Sequence, residues 1–172
     1  MPQRPAAELL SLDNQLCFAV YAASRALTGL YRELLAELGL TYPQYLVMLV
    51  LWEHEEVSVK ELGAALRLDS GTLSPLLRRL EGAGLVRRRR AGEDERVVRV
   101  ALTGAGAALR ERAVEVPECV LRAVDLPDAR VTELRDLLGH LTETVGAAAR
   151  ELHEGAGQAP SADPRTIPEE RG

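Results

Sequence analysis

Asp69-Ser-Gly-Thr-Leu-Ser-Pro75, followed twelve residues on by Arg87-Arg-Arg-Arg-Ala-Gly-Glu-Asp-Glu-Arg-Val-Val-Arg99, is the stretch whose reading decides the fold. A hydroxyl-rich helix start runs into a basic ribbon. That order suits a helix lying in a major groove followed by a hairpin that tracks phosphates. In the hairpin half, four cations stand in a row at Arg87 to Arg90, Gly92 is free to take positive φ in a polar turn, and Arg96 to Leu102 alternates Arg and Val with period two. A two-stranded ribbon with one apolar face against a core follows, with Arg96 near its tip. A guanidinium there suits a groove lined by acceptors, because its planar fork carries several directed donors. A solvated basic hairpin without a partner is the plainer reading of the same run.

The residues upstream favour the groove. Ser58-Val-Lys-Glu61 has capping-box spacing and predicts a short helix from about Ser58 to Leu66. Asp69 or Ser70 can cap a second helix reaching about Gly84, and the short gap after Leu66 is what a helix-turn-helix requires. Leu62, Leu66, Leu73, Leu76, Leu77 and Leu80 recur at helical spacing as a shared core. Ser70, Thr72, Ser74, Pro75 and Arg78 are left as candidate DNA contacts on the second helix, with Arg88, Arg90, Asp94 and Arg96 as candidates on the hairpin.

Net charge first argues the other way: the chain is at −5, whereas a polyanionic ligand selects a basic surface. Lys60 to Arg99, however, holds ten Lys or Arg against six Asp or Glu, a local +4 that leaves −9 for the remainder. Because salt screens exposed charges over roughly 8–10 Å, the local sign governs.

At 172 residues, nearly half hydrophobic, the chain can build one domain with appended helices. Met1-Pro-Gln-Arg-Pro-Ala-Ala-Glu8 lacks the apolar core of a secretory signal, and the longest apolar run, Tyr45 to Trp52, is too short to span a membrane, so a soluble cytoplasmic protein without membrane association is expected. Two distant cysteines and scattered His54, His140 and His153 make no metal pattern, and no nucleotide-binding loop or hydrolase triad is visible. Neither a cofactor nor an enzymatic activity is expected, a thiol peroxidase being the weakest reading.

The remainder reads as helix. One long helix is expected from Leu12 to about Leu38, closed by Gly39; a second opens at Tyr42 with Pro43 in its first turn, where the missing N–H costs little. Thr103 starts another through about Ala123 with a kink at Pro117, and a last helix begins at Asp125-Leu-Pro-Asp128 with the stripe Val131, Leu134, Leu137, Leu138, Leu141 and Val145. The fold class is therefore mainly α with a small β-wing: an arm over 1–11, a winged helix-turn-helix domain with N- and C-terminal dimerisation helices over 12–153, a DNA-binding core at about 43–103, and a disordered tail over 154–172. The end helices carry more apolar surface than a small core covers. Pairing of two chains there would set two reading helices on one two-fold axis, matched to a near-palindromic duplex. End helices that fold back on their own domain are the alternative.

Over about Leu9 to Leu152 the helix-turn-helix, the wing with Asp94-Glu-Arg96 and Leu102-Thr103, and the terminal helices resemble the MarR-type transcriptional regulators. More narrowly, Leu12-Asp-Asn-Gln-Leu-Cys17-Phe-Ala-Val-Tyr21, then Tyr31, Thr41-Tyr-Pro-Gln-Tyr45 and Leu51-Trp-Glu-His54, resemble the organic hydroperoxide resistance regulators, OhrR, of that family. The resemblance implies a homodimeric repressor of operator DNA whose N-terminal cysteine is oxidised by organic hydroperoxides as inducers. It implies Cys17 as the peroxidatic thiol and Tyr31 and Tyr42 of the partner subunit as its hydrogen-bond donors, with Tyr21 a third contact or packing. It further implies Cys119 as the candidate resolving cysteine of an intersubunit disulfide, some members lacking one and using an external thiol instead. A sensor must be a thiolate, and a free thiol is only about 3% ionised at pH 7, so the amide end of a helix and the phenols supply the help that is needed. Read without the resemblance, Cys17 is a small hydrophobe in a helix interface and Cys119 a core residue between Val116 and Val120. A MarR-type repressor released by a small phenolic or aromatic ligand is the alternative function, though it leaves Cys17, Tyr31 and Tyr42 idle.

Overall fold

The computed structural model describes residues 6–90 and 97–157, in the order α1 (Ala6–Leu9), α2 (Leu16–Leu34), α3 (Tyr42–His54), β1 (Glu56–Ser58), α4 (Val59–Leu66), α5 (Ser70–Gly82), β2 (Val86–Arg90), β3 (Val98–Leu102), α6 (Gly104–Ala113), α7 (Glu115–Val124) and α8 (Asp128–Gly157). The fold is mainly α with a small antiparallel sheet, as the residues imply. Contacts divide it into a unit ending at Val124 and a second beginning at Asp125, which consists of α8.

The helix-turn-helix forms from local signals. Ser58 accepts from the Glu61 N–H at 3.1 Å while the Glu61 carboxylate accepts from the Ser58 N–H at 2.7 Å, so two amides that α4 cannot satisfy internally are paired reciprocally. Asp69 accepts from the Thr72 N–H at 2.8 Å and caps α5. Leu62, Leu73, Leu77 and Leu80 are fully buried, and Leu66 is partly buried against the same core. Leu35, Tyr45, Val47, Met48 and Leu51 complete that core from the other side.

Three strands close the domain in the order β1-β3-β2, with Val57 opposite Val100 and Arg88 opposite Val100 on the other edge. The hairpin strands lie where the alternation places them, whereas β1 is an element that periodicity does not reveal. Residues 91–96, where the expected hairpin turn with Gly92, Asp94 and Arg96 falls, lie outside the described residues. The wing's base is fixed by Thr103: its N–H donates to the Leu85 carbonyl at 3.0 Å, its hydroxyl donates to that of Gly84, and it caps α6 by accepting from the Gly106 N–H.

Three of the expected helices depart from the sequence reading. The expected helix from Leu12 to Leu38 is a 3-10 turn over Leu12–Asn14, α2, and a second 3-10 turn over Ala36–Leu38. Gln15 is extended between the first two, because its side-chain amide donates to the carbonyls of Leu9 and Ser11 rather than leaving Gln15 to continue the turn. At the other end Gly39 adopts φ 67°, a left-handed conformation that costs glycine little. The helix after the wing breaks at Val114 instead of Pro117. Proline has no N–H for the carbonyl four residues back, and its ring crowds that carbonyl, so the damage falls at Ala113. The last helix begins at Asp128, three residues after the expected start, since Asp125 takes φ 50°. It continues through Gly157, into the segment expected to lack structure; residues 158–172 lie outside the described residues.

Candidate nucleic-acid interface and thiol site

On α5 the side chains proposed to face a ligand are exposed, but they are not all free. Thr72 donates its hydroxyl to Asp69 at 2.9 Å, and Ser74 donates to the Ser70 carbonyl at 2.7 Å. Both hydroxyls still have acceptor capacity. Asp69 lies below the ordinary carboxylate range, chiefly through the Thr72 amide and then its hydroxyl. Pro75 sits exposed inside α5, four residues after Gly71, whose carbonyl it leaves without an amide donor. Ser70 and Arg78 are exposed, and among the described residues no carboxylate pairs with Arg78, Arg79, Arg87 or Arg90.

The arginine run behaves differently from four free cations. Arg88 is tied to Glu81 of α5, its Nε donating at 2.8 Å. Arg89 and Arg99 stand directly opposite each other on β2 and β3, a like-charge pair that would destabilise the sheet by itself. Glu56 of β1 resolves it, accepting from Arg89 at 2.8 Å and from Arg99 at 2.6 Å. Those two arginines, Arg89 first, hold the Glu56 carboxyl below its usual range, and Arg88 does the same for Glu81. Of the run, Arg90 is exposed without a carboxylate partner among the described residues, while Arg88, also exposed, is engaged by Glu81. Glu56 and Glu81 escaped sequence reasoning because their partners lie 33 and 7 residues away.

Cys17 is the second residue of α2 and is exposed, at the end where backbone N–H groups point out of the helix. Tyr21 follows one turn later, accepting from Arg25 Nη1 at 3.1 Å, with the guanidinium 5.7 Å from its ring centroid. Tyr31 and Tyr42 form one aromatic group: their rings are 4.3 Å apart, and Tyr31 is 5.9 Å from Tyr45, which in turn lies 6.1 Å from Trp52. Burial, then the neighbouring Tyr42, pushes the Tyr31 phenol up, so it is a proton donor rather than a phenolate. Tyr45, which the sequence reading placed only within a motif and at the head of an apolar run, belongs to this group. Gln44 positions Tyr42 by accepting from the Thr41 N–H at 2.8 Å and its hydroxyl at 2.9 Å; the Thr41-x-x-Gln44 spacing was a readable cap signal.

Within one chain these groups do not meet. Cys17 and Tyr31 lie on the same helix fourteen residues apart, which at 1.5 Å per residue is about 21 Å. Cys119, on α7, lines a groove with Glu33, Leu34 and Glu37 at the far end of α2. It is therefore about 25 Å from its own Cys17, far beyond the 7 Å over which Cα atoms can be bridged. Cys119 is partly buried, accepts from Arg122 Nη2 at 3.1 Å, and stands one turn after the buried Val116.

Large apolar side chains are left uncovered around Cys17: Leu9, Leu10, Leu12, Leu16 and Phe18 are exposed, and α2 has no buried residue. In the second unit Leu134, Leu137, Leu138 and Val145 of α8 are likewise exposed, while Val131 and Leu141 are partly covered. His54, His140 and His153 are exposed, and among the described residues no group of His, Cys, Asp or Glu could hold a metal ion. No helix among those residues is long and apolar enough to cross a membrane.

Comparison with known proteins sets this geometry in context. Residues 29–112 match a family described as transcriptional regulator SarA/Rot. The chain is 48% identical over 136 residues to the organic hydroperoxide resistance transcriptional regulator of Bacillus subtilis, covering 79% of this chain and 92% of that protein. Among solved structures, reduced AbfR bound to DNA has a TM-score of 0.71 at 35% identity, covering 83% of this chain and 97% of that one. Disulfide-formed AbfR has a TM-score of 0.58 at 38% identity, covering 78% and 95%. AbfR is a Staphylococcus epidermidis protein.

Proposed function

The chain belongs to the MarR-type transcriptional regulators, in their organic hydroperoxide resistance branch, and from that premise we propose that it is a homodimeric repressor which holds near-palindromic double-stranded operator DNA while Cys17 is reduced and leaves it when an organic hydroperoxide oxidises that thiol. One observation carries the reading. An exposed cysteine at the amide end of α2 lies amid uncovered leucines, and of the tyrosine pair fit to donate to it Tyr31 stands about 21 Å away along the same helix, with Tyr42 of α3 against it. A second copy packed on that apolar face is the simplest way to bring Tyr31 and Tyr42 of one chain to Cys17 of the other, and it covers surface that a monomer would leave wet.

The chemistry follows from these parts. The Cys17 thiolate attacks the distal peroxide oxygen, the O–O bond breaks, and the alkoxide leaves as an alcohol after taking a proton that the phenols of the other chain can donate. Sulfur, oxidised by two electrons, becomes a sulfenic acid. A Cys119 thiolate can then attack that sulfur, forming the S–S bond as the S–O bond breaks, and the departing hydroxide takes up a solvent proton to become water. With its own Cys17 about 25 Å away, the cysteine that resolves a given thiol belongs to the other subunit. On the DNA side, Ser70, Thr72, Ser74, Pro75 and Arg78 of α5 face the major groove, with Arg90 and the wing-tip residues Asp94 and Arg96 on the flanking backbone and minor groove.

Gel-shift titration of the protein with cumene hydroperoxide, on DNA from upstream of its own gene, tests the reading. Cys17→Ser should bind as wild type does and fail to release. A Cys17→Ser protein that still dissociates on oxidation moves the sensor elsewhere. Release by salicylate without any peroxide effect would favour the phenolic-ligand repressor.

A further inference from the structure

Glu81 has no part in the scheme above, yet both of its carboxylate oxygens are engaged by one residue of the wing. It lies in the last turn of α5. One carboxylate oxygen, Oε2, accepts from Arg88 Nε at 2.8 Å and from Nη2 at 2.5 Å; the other, Oε1, accepts from the Arg88 backbone N–H at 3.1 Å. β2 is an outer strand of the sheet, so an amide on its open edge would otherwise face water. Between the two residues the chain turns tightly: Gly84, at φ 72°, donates its N–H to the Glu81 carbonyl at 2.9 Å, and Leu85 donates to Leu80 at 3.0 Å. The carboxylate thus spans the junction of reading helix and wing, holding both the strand's backbone and its guanidinium.

We propose that Glu81 is a specificity-determining positioning residue: by tying Arg88 across this junction it fixes the angle between α5 and the wing and withholds one cation from indiscriminate phosphate binding. The proposal rests on the reading of the chain as a DNA-binding regulator. Phosphate contacts release counterions whatever the sequence, whereas discrimination depends on holding base-reading groups and flanking contacts in one register. A wing presenting every arginine freely would gain affinity for all DNA alike. Here Glu56 occupies Arg89 and Arg99, and Glu81 occupies Arg88, leaving Arg87 and Arg90 without a carboxylate partner among the described residues. The acids convert charge into geometry.

The sign of one substitution separates this role from plain electrostatics. Glu81→Gln keeps the size and an acceptor oxygen but removes the charge that holds the guanidinium. Binding is read by fluorescence anisotropy on duplex from upstream of the protein's own gene and on a scrambled duplex of equal length, each over a range of salt, with hydrogen exchange of the Arg88 amide measured without DNA. Expected are tighter binding to scrambled duplex with a salt slope steeper by about 0.9, one phosphate's worth. Preference for the upstream duplex should fall about tenfold, on the scale of one lost charge-assisted contact, and the Arg88 amide should exchange faster. Adding Arg88→Gln should restore the slope but not the preference. Equal tightening on both duplexes, with preference intact, would overturn the proposal by reducing Glu81 to a repelling charge; so would an Arg88 amide that exchanges as in wild type. Wild type that prefers neither duplex counts against the regulator reading, whereas a variant that discriminates as well as a discriminating wild type counts against Glu81 alone.

Discussion

Gly106→Ala tests how the wing is seated on the helical core. A Cβ added at Gly106 would lie 2.0 Å from the Leu85 carbonyl oxygen and 3.3 Å from Leu102 Cδ2, against a comfortable separation of about 3.5 Å. The oxygen has little freedom to withdraw, because it accepts from the Thr103 N–H at 3.0 Å and the Thr103 hydroxyl at 3.1 Å. Nor can α6 move off easily: the buried Trp52 Nε1 donates to the Gly106 carbonyl at 2.9 Å from the other side. Overpacking against backbone held on both sides belongs at the upper end of the usual range, about 3 kcal/mol. Alanine returns about 1 kcal/mol of helix propensity, leaving a net loss of about 2 kcal/mol. For a chain of this size that lowers Tm by about 4–8 °C. The assay is thermal unfolding by circular dichroism at one fixed protein concentration, since association shifts Tm. Gly104→Ala, two residues earlier with nothing within 4 Å of its added Cβ, is the control and should melt no lower than wild type. A Gly106→Ala protein that melts at or above wild type would refute the close approach of α6 to Leu85 and, with it, the account of how the wing base is held.

Two further outcomes follow from the thiols and carboxylates. Stoichiometric hydroperoxide should give wild type a crosslinked dimer on non-reducing gels, reversed by dithiothreitol; Cys119→Ser should lose that band and pass more readily to sulfinic acid, seen by mass, while a wild type that releases DNA with no crosslink would make Cys119 a packing residue. The carboxyls of Glu56, Glu61, Asp69 and Glu81 are all held below their ordinary values, by arginines or by backbone and hydroxyl donors, so the stability they contribute is fully present above the unfolded carboxylate range near pH 4 and is lost progressively as pH falls from there through their lower folded-state values. Tm measured from pH 7 downward should hold to about pH 5 and then decline, with Glu56→Gln flattening the decline; a Tm that rises on acidification would contradict the bridges.

What could be read from the residues was local, and what escaped was held by distant partners. The helix-turn-helix was legible because Ser58, Glu61 and Asp69 act on amides within three residues, and the leucine spacing that buries Leu62, Leu73, Leu77 and Leu80 repeats within two turns. β1 was not, since three residues carry no period and Val57 is a strand only by pairing with Val100, 43 positions on. Pro117 was recognised as a disturbance but placed wrongly, because its effect falls on the carbonyl four residues before it. The same distinction governs the site. Sequence alone put Cys17 in the early turns of a helix begun at Leu12, and the break at Gln15 makes it the second residue of α2, whereas the packing of Tyr31 on Tyr42 and Tyr45 required α2 and α3 to fold against each other. Arg88 and Arg90 of the four consecutive arginines read as DNA contacts because a sequence displays charges without their partners. Folding brings Glu56 to Arg89 and Glu81 to Arg88, and a guanidinium already engaged by a carboxylate must break that contact before it can serve DNA. Among the described residues the basic run therefore holds two clamped arginines, Arg88 and Arg89, and two without a carboxylate partner, Arg87 and Arg90, and in the role proposed for Glu81 that difference separates affinity for any duplex from preference for one.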